Sequence, residues 1–267
     1  MESNQYCEIC HSPVSKYHRL NNIDLLRCSN CNFIFSDRSC ATSFDYQSDF
    51  YVDIAEKAKP IHEFYAEARI KLLMKYKKNI HSLLDVGCSS AIFLNKINSQ
   101  VKRIKGIELS QKAVELARSK GLNIELKNVF DENEKFDVIT LIEVIEHFND
   151  INLLTKKLYD LLNPFGLIYF QTGNTSSLEF WHKRKKWRYF DPPSHCSYFG
   201  KKSITILLKN HNFKILYLGS GINFWTYLMT KNKPYSSISV LKGMIGKFQF
   251  SGYTIPSSVG VIAQKIS

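Results

Sequence analysis

Three sets of side chains in this 267-residue chain have both the type and the spacing that chemistry requires. The first is thiol: Cys7-x-x-Cys10 and Cys28-x-x-Cys31 are separated by seventeen residues. Two tight knuckles at that distance present four thiolates tetrahedrally to a zinc ion, and four cysteines leave no open coordination position, so the metal is structural. Ser12-Pro13 and Ser29-Asn30 supply turn chemistry around the knuckles, and in so short a segment the metal contributes the folding energy. The second set follows an apolar run. Leu83-Leu84-Asp85-Val86 leads into Gly87-Cys88-Ser89-Ser90-Ala91, small residues that let backbone amides approach a ligand at a helix N-terminus. Twenty-one residues after Gly87, Glu108 precedes Leu109, at the separation where an acid accepts the ribose hydroxyls of an adenosine-containing cofactor. The third set is Glu143-Val144-Ile145-Glu146-His147, with His195 much later, after Pro192-Pro193-Ser194. Carboxylates and imidazoles are proton carriers near neutral pH.

These residues need a scaffold that brings them to one edge. From residue 60 onward, apolar runs alternate with amphipathic stretches. We read strands at 82–87, 103–108, 123–127, 136–142 and 166–172, and helices near 60–78, 91–99, 111–120 and 150–162. Ile61, Phe64, Tyr65, Ala68, Leu72 and Tyr76 form one face of the first helix. Ser110 reads as a helix cap, and Asn163-Pro164-Phe165-Gly166 as a helix stop and turn into a strand. Such alternation is an α/β pattern with a parallel, doubly wound sheet, whose ligands sit beyond the carboxyl ends of the strands. Asp85, Glu108 and Glu143 all fall at such ends.

Composition sets the surroundings. The chain is 44% hydrophobic and carries a net charge of +12, so it can bury a sizeable core and attract anionic partners: nucleotide-linked sugars, a phospholipid surface or nucleic acid. No uncharged apolar run of ~18 residues occurs, and the polar start is no signal peptide. Seven cysteines, an odd number with four in paired spacing, fit reduced thiols or a metal, and the expected location is cytoplasmic.

Taken together, LLDVGCSSAIFL (83–94), GIELS (106–110), FDVITLIEVIEHFND (136–150) and LLNPFGLIYFQTGN (161–174) resemble the class I S-adenosylmethionine-dependent methyltransferases. A later match runs through Pro192-Pro193-Ser194-His195-Cys196-Ser197-Tyr198-Phe199, Ser203 to Leu208, Phe213 and Val259 to Ala263. The four-cysteine segment ahead of this core is similar to a branch containing sugar C-methyltransferases and surface-glycan enzymes; the E-x-x-E-H run resembles ubiquinone-pathway O-methyltransferases.

The resemblance implies a Rossmann-like, seven-stranded doubly wound sheet with its last strand antiparallel, preceded by a zinc ribbon over 1–40 and a connector over 41–59. The methyltransferase domain would occupy 60–267. It implies S-adenosylmethionine held by Asp85, Gly87, Cys88, Ser89, Ala91, Glu108, Leu109 and Glu143, and zinc held by Cys7, Cys10, Cys28 and Cys31. His195 is the first candidate for general base and His147 the second. In the quinone enzymes the analogous acidic pair and histidine bind a divalent cation, a role open to Glu143, Glu146 and His147. Ala91 places a methyl group where the family usually has glycine, so cofactor binding is expected to be weakened. The acceptor is expected to be a small molecule or glycan precursor, anionic, methylated on oxygen or carbon. The basic run Lys183-Arg184-Lys185-Lys186 lies in the loop that would roof the site. Residues 220–256 read as a lid, an interfacial helix on anionic lipid, or a packing or homodimer surface. Two other classes remain: a zinc-ribbon ribosomal RNA methyltransferase, against which the E-V-I-E-H run and the sparsely basic ribbon argue, and a non-catalytic relative.

Overall fold

The computed structural model of the chain describes residues 6–36, 56–222 and 257–266. Strand β4 (Ser82–Val86) is buried along its whole length, as a central strand covered on both faces must be. Around it run β5 (Arg103–Glu108), β6 (Ile124–Leu126), β7 (Phe136–Ile142), β8 (Leu162–Gly173), β10 (Phe213–Ser220) and β11 (Ser258–Lys265), in the order β10-β11-β8-β7-β4-β5-β6. The pairs from β6 to β8 are parallel, whereas β11 is antiparallel to both β8 and β10, which is the sheet expected from the sequence.

Alternating strand residues feed two cores. Leu84, Val86, Ile139, Leu141 and Phe170 face α4 (Ile151–Asp160) and α5 (Lys201–Asn210). Leu83, Val138 and Tyr169 face α1 (Lys59–Tyr76), α2 (Ile92–Ile97) and α3 (Gln111–Ser119). The expected cap is present: Ser110 Oγ accepts from the Ala113 amide at 3.3 Å, and Asp150 caps α4 through the Leu153 amide at 2.8 Å.

Two readings need correction. Helix α1 buries Ala66, Arg69, Ile70 and Leu73 rather than the stripe through Phe64 and Leu72, because the charged Arg69 belongs to the inward face. The Asn163–Gly166 turn lies within β8, not before it. Leu162 already pairs with Phe136, and the ladder resumes at Leu167 opposite Val138, so the four intervening residues loop out with Phe165 at φ 57°.

The N-terminal segment folds as β1 (Val14–Leu20), β2 (Ile23–Cys28) and β3 (Ile34–Ser36). Its antiparallel sheet gains a fourth strand from the main domain, β9 (Ser197–Tyr198). A small shared core joins the two parts: Leu25 and Ile34 pack with Phe180, Trp187, Phe190 and Tyr198. Most of the anticipated connector, Cys40, and nearly all of 220–256 lie outside the described residues.

Candidate active site

The first corner of the site is made by β4, β5 and the loop between β4 and α2. Gly87 has φ 67°, and a Cβ there would stand 2.6 Å from Val144 Cγ2, so only glycine lets the loop pass under the turn after β7. The amides of Gly87 and Cys88 donate to the Ile107 carbonyl (2.9 and 3.3 Å), folding the loop over the end of β5. There, Glu108 Oε2 accepts from the Ser89 amide at 2.8 Å, while Oε1 accepts from the amides of Leu109 (2.7 Å) and Ser110 (3.0 Å). The acid that the spacing assigned to a ribose therefore also shapes the loop. Ser89 and Ala91 both lie in the left-handed region, at φ 48° and 59°. Ala91 is fully buried in the core on the α1 side, so its methyl packs inward rather than into open space. Cys88 is buried in the same cluster.

Asp85 lies beneath this corner, only 3% exposed, with Oδ1 accepting from Thr140 Oγ1 at 2.5 Å. Burial pushes its pKa up to about 7, against the Thr140 hydrogen bond and the nearby Arg69 guanidinium, which act to lower it. Arg69 itself is buried, with its Nε unpartnered and its guanidinium 5.7 Å from the Tyr65 ring centroid.

The second corner lies after β7 and β8. Glu143, at φ 56°, accepts from Gln171 Nε2 at 2.8 Å, and its amide donates to the Gln171 carbonyl at 2.9 Å. Gln171 Oε1 in turn accepts from the Ile222 amide at 2.7 Å. Glu146 is 2% exposed, and among the described residues neither carboxyl oxygen has a partner at good hydrogen-bond geometry. Burial first, and then the charge of Glu143, raise its pKa well above the usual carboxylate range. Among the described residues the four cysteines are the only His, Cys, Asp and Glu side chains that converge as a metal-holding group. Glu143, Glu146 and His147 are not among the side chains that converge in this way.

His147 and His195, separated by 48 positions in sequence, meet here edge to face with ring centroids 4.7 Å apart. Each is anchored through Nδ1: His147 to the Ser194 carbonyl at 2.7 Å, His195 to the Tyr189 carbonyl at 2.8 Å. A carbonyl only accepts, so each Nδ1 carries a proton. Burial, and then electrostatic repulsion between the two neighbouring imidazoles, lower the His147 pKa to about 4, which fixes it as a neutral imidazole. The half-buried Tyr189 stacks on His195 at 6.3 Å, and burial followed by the Glu143 charge raises the pKa of its phenol.

In the ribbon, the four Sγ atoms lie within 4.8 Å of one another, with Cys7 and Cys31 at 3.6 Å and Cys10 and Cys28 at 3.4 Å. The amides of Asn30 and Cys31 both donate to Cys28 Sγ at 3.4 Å, the knuckle geometry that favours a thiolate. The Cys31 hydrogen bond draws the Cys7 thiol down to about 5. This donor set fits a tetrahedral zinc ion.

Sequence reading missed Arg69, Tyr189 and Gln171. Two of these carried a signal. Arg69 interrupts an i, i+3, i+4, i+7 apolar series at Ala66, Ile70 and Leu73, and Gln171 is the polar residue that follows the apolar run Leu167–Phe170 towards the carboxyl end of its strand.

The family model of a methyltransferase domain matches residues 56–218, more than half of the chain. A ubiquinone biosynthesis O-methyltransferase from Pelagibacter ubique is 29% identical over 138 residues, covering 44% of this chain and 57% of that protein. The chain thus spans less than two thirds of the curated relatives it matches. An S-adenosylmethionine-dependent methyltransferase from Clostridium acetobutylicum superposes with a TM-score of 0.57 at 12% identity, over 82% of this chain and 99% of that one. The plantazolicin methyltransferase BpumL in complex with SAH gives 0.58 at 18% identity, over 86% and 95%. Both structural likenesses share the fold.

Proposed function

The chain belongs to the methyltransferase-domain family, and we propose that it transfers a methyl group from S-adenosylmethionine to a hydroxyl oxygen of a small, anionic acceptor, with His195 as general base. The observation that carries this reading is the His147–His195 pair, with both Nδ1 atoms anchored at the carboxyl edge of the parallel sheet. When bound, the cofactor supplies a methyl group already activated on a sulfonium, which leaves the chain to align the acceptor oxygen and take its proton. His195 Nε2 is the lone pair that takes the proton. His147, buried and neutral beside it, adds no competing positive charge.

In this reading Glu108 holds the ribose hydroxyls. It remains only partly buried, and three amide bonds leave its carboxylate further acceptor capacity. Gly87, Cys88, Ser89 and Leu109 provide backbone around the cofactor, Glu143 borders it from the β7 side, and Asp85 and Ala91 support the loop from below. The O-methyltransferases among the relatives support oxygen as the methylated atom of a small acceptor, and the exposed basic run Lys183 to Lys186 supports an anionic one. Nucleotide-linked sugars, glycan precursors and quinone-type phenols all fit an anionic acceptor. Zinc held by Cys7, Cys10, Cys28 and Cys31 is structural.

The test is an assay of purified protein with methyl-labelled S-adenosylmethionine against panels of nucleotide sugars and phenolic quinone precursors, with calorimetry of SAH in parallel. We expect SAH binding and label in an ether-linked product from one panel. SAH binding with label only in RNA would replace the small-molecule reading, and absence of SAH binding would remove the enzyme altogether.

A further inference from the structure

The ribbon touches the segment that carries His195 at points on both sides of that residue. Upstream, Asn21 Nδ2 donates to the Pro192 carbonyl at 2.8 Å, a bond spanning 171 positions of sequence. Downstream, the Ser36 amide donates to the Cys196 carbonyl at 2.9 Å, and β3 pairs with β9 through Ile34 with Tyr198 and Phe35 with Ser197. The main domain holds the same segment from the opposite side: the Cys196 amide donates to the Glu146 carbonyl at 2.8 Å, and Ser197 Oγ to the Phe148 carbonyl at 2.8 Å. His195 therefore sits on a short stretch gripped between two layers.

Pro192 and Pro193 have no amide hydrogen, so at these two positions the stretch can be tied only through its carbonyls. Asn21 supplies the donor that one of them accepts. It lies with Asn22 in the two-residue turn between β1 and β2, at φ 50° and 63°, where asparagine or glycine is favoured on backbone grounds alone. Asn22 makes no side-chain hydrogen bond to the 191–198 segment among the described contacts, so the two positions separate turn chemistry from the amide contact.

We propose that the four-cysteine ribbon is the outer jaw of a clamp on the general-base segment and that Asn21 is a positioning residue for methyl transfer. The inference rests on His195 acting as the base. A base displaced by a fraction of an ångström loses the alignment on which an intramolecular proton transfer depends, and a displacement of about 1 Å can cost about 10²-fold. Asn21→Gly keeps the turn and removes only the amide; Asn22→Gly changes the same turn and leaves the amide in place.

The experiment uses full-length, metal-loaded protein with SAH bound for amide hydrogen exchange, and S-adenosylmethionine with protocatechuate, an anionic catechol, for turnover. For Asn21→Gly we expect faster exchange over 191–198, unchanged exchange over 87–94, an unchanged SAH dissociation constant, and kcat lowered roughly tenfold with KM for protocatechuate little changed. Asn22→Gly should match the wild type in every readout. Unchanged exchange over 191–198 in Asn21→Gly, or faster exchange with wild-type kcat, would overturn the proposal, as would an equal effect of Asn22→Gly. Should protocatechuate not be turned over, exchange alone decides whether the clamp exists. Full turnover in His195→Asn would sink the base assignment and this inference with it, whereas a normal Asn21→Gly beside an impaired His195→Asn would sink this inference alone.

Discussion

The cofactor corner and the imidazole pair stand at the same edge of one sheet but are assembled from different distances of chain. Gly87, Ser89 and Glu108 lie within one strand–helix–strand unit, tied by the Gly87 amide donating to the Ile107 carbonyl and the Ser89 amide donating to the Glu108 carboxylate. His147 and His195 come from separate strands' exits, and the loop carrying His195 is held in part by residues before position 40. Local units of this kind keep their geometry when remote parts change. A site spliced from three regions inherits the stability of its least stable member. Perturbations of the ribbon should therefore reach proton transfer before they reach cofactor binding.

The largest expected difference between the corners comes from the metal. Removing zinc with a chelator, or replacing Cys28 with serine, should lower kcat by about 10²-fold through loss of alignment, while the SAH dissociation constant stays within a few-fold. Turnover assays and calorimetry on the same sample check this; equal losses in both would mean that the ribbon supports the whole fold rather than one corner.

Acid exposes the His147 side next. Its imidazole titrates at about 4 in the folded chain against 6.5 when unfolded, so between those values the unfolded state binds more protons. The stability that neutral His147 contributes is present above pH 6.5 and is lost as pH falls towards 4, a change of up to ~3 kcal/mol. Asp85, raised to about 7, has the opposite slope over an overlapping range. The clean measurement is thus the difference in urea unfolding free energy between wild type and His147→Asn, in which Asp85 and the other groups cancel. That difference should fall on acidification; a constant difference would contradict a neutral, buried His147.

At the cofactor corner, Gly87→Ala should cost about 2 kcal/mol of stability, from left-handed backbone strain plus the Val144 clash, and should weaken SAH binding in proportion to the displaced loop. Denaturant midpoints and calorimetry test both. Ala91→Gly should do far less: relief of strain of about 1 kcal/mol is offset by about 0.8 kcal/mol of lost methyl packing, with SAH affinity nearly unchanged. The smallest effect is on the roof. Serine at Lys183, Arg184, Lys185 and Lys186 together should raise the KM of an anionic acceptor several-fold in low salt and leave SAH affinity alone, since exposed charges act through a screened field.

The same contrast explains what the sequence made legible. The parallel part of the sheet, the Gly87–Glu108 corner and the four-thiol cluster follow from short-range patterns: apolar runs, caps, a fixed acid spacing and C-x-x-C knuckles; the antiparallel last strand was implied only by the family resemblance. The inward face of α1 was misread because a buried Arg69 looks polar until its Asp85 and Tyr65 neighbours are known. The turn at Asn163–Gly166 was recognised, but nothing local says that a ladder closes again on both sides of it. His147 and His195 were each identified as chemical residues. Their contact, the Ser194 carbonyl that anchors His147, the Asn21 bond to Pro192 and the strand β9 lent to the ribbon depend on pairings across 47 to 171 positions, which no periodicity records.

The most direct test of the central claim compares wild type with His195→Asn in methyl transfer from labelled S-adenosylmethionine to an acceptor identified by the panel assay, with SAH affinity measured by calorimetry. If His195 takes the acceptor's proton, kcat falls by about 10²- to 10⁴-fold while the SAH dissociation constant stays within about twofold. Wild-type turnover in His195→Asn at every pH examined would contradict the account.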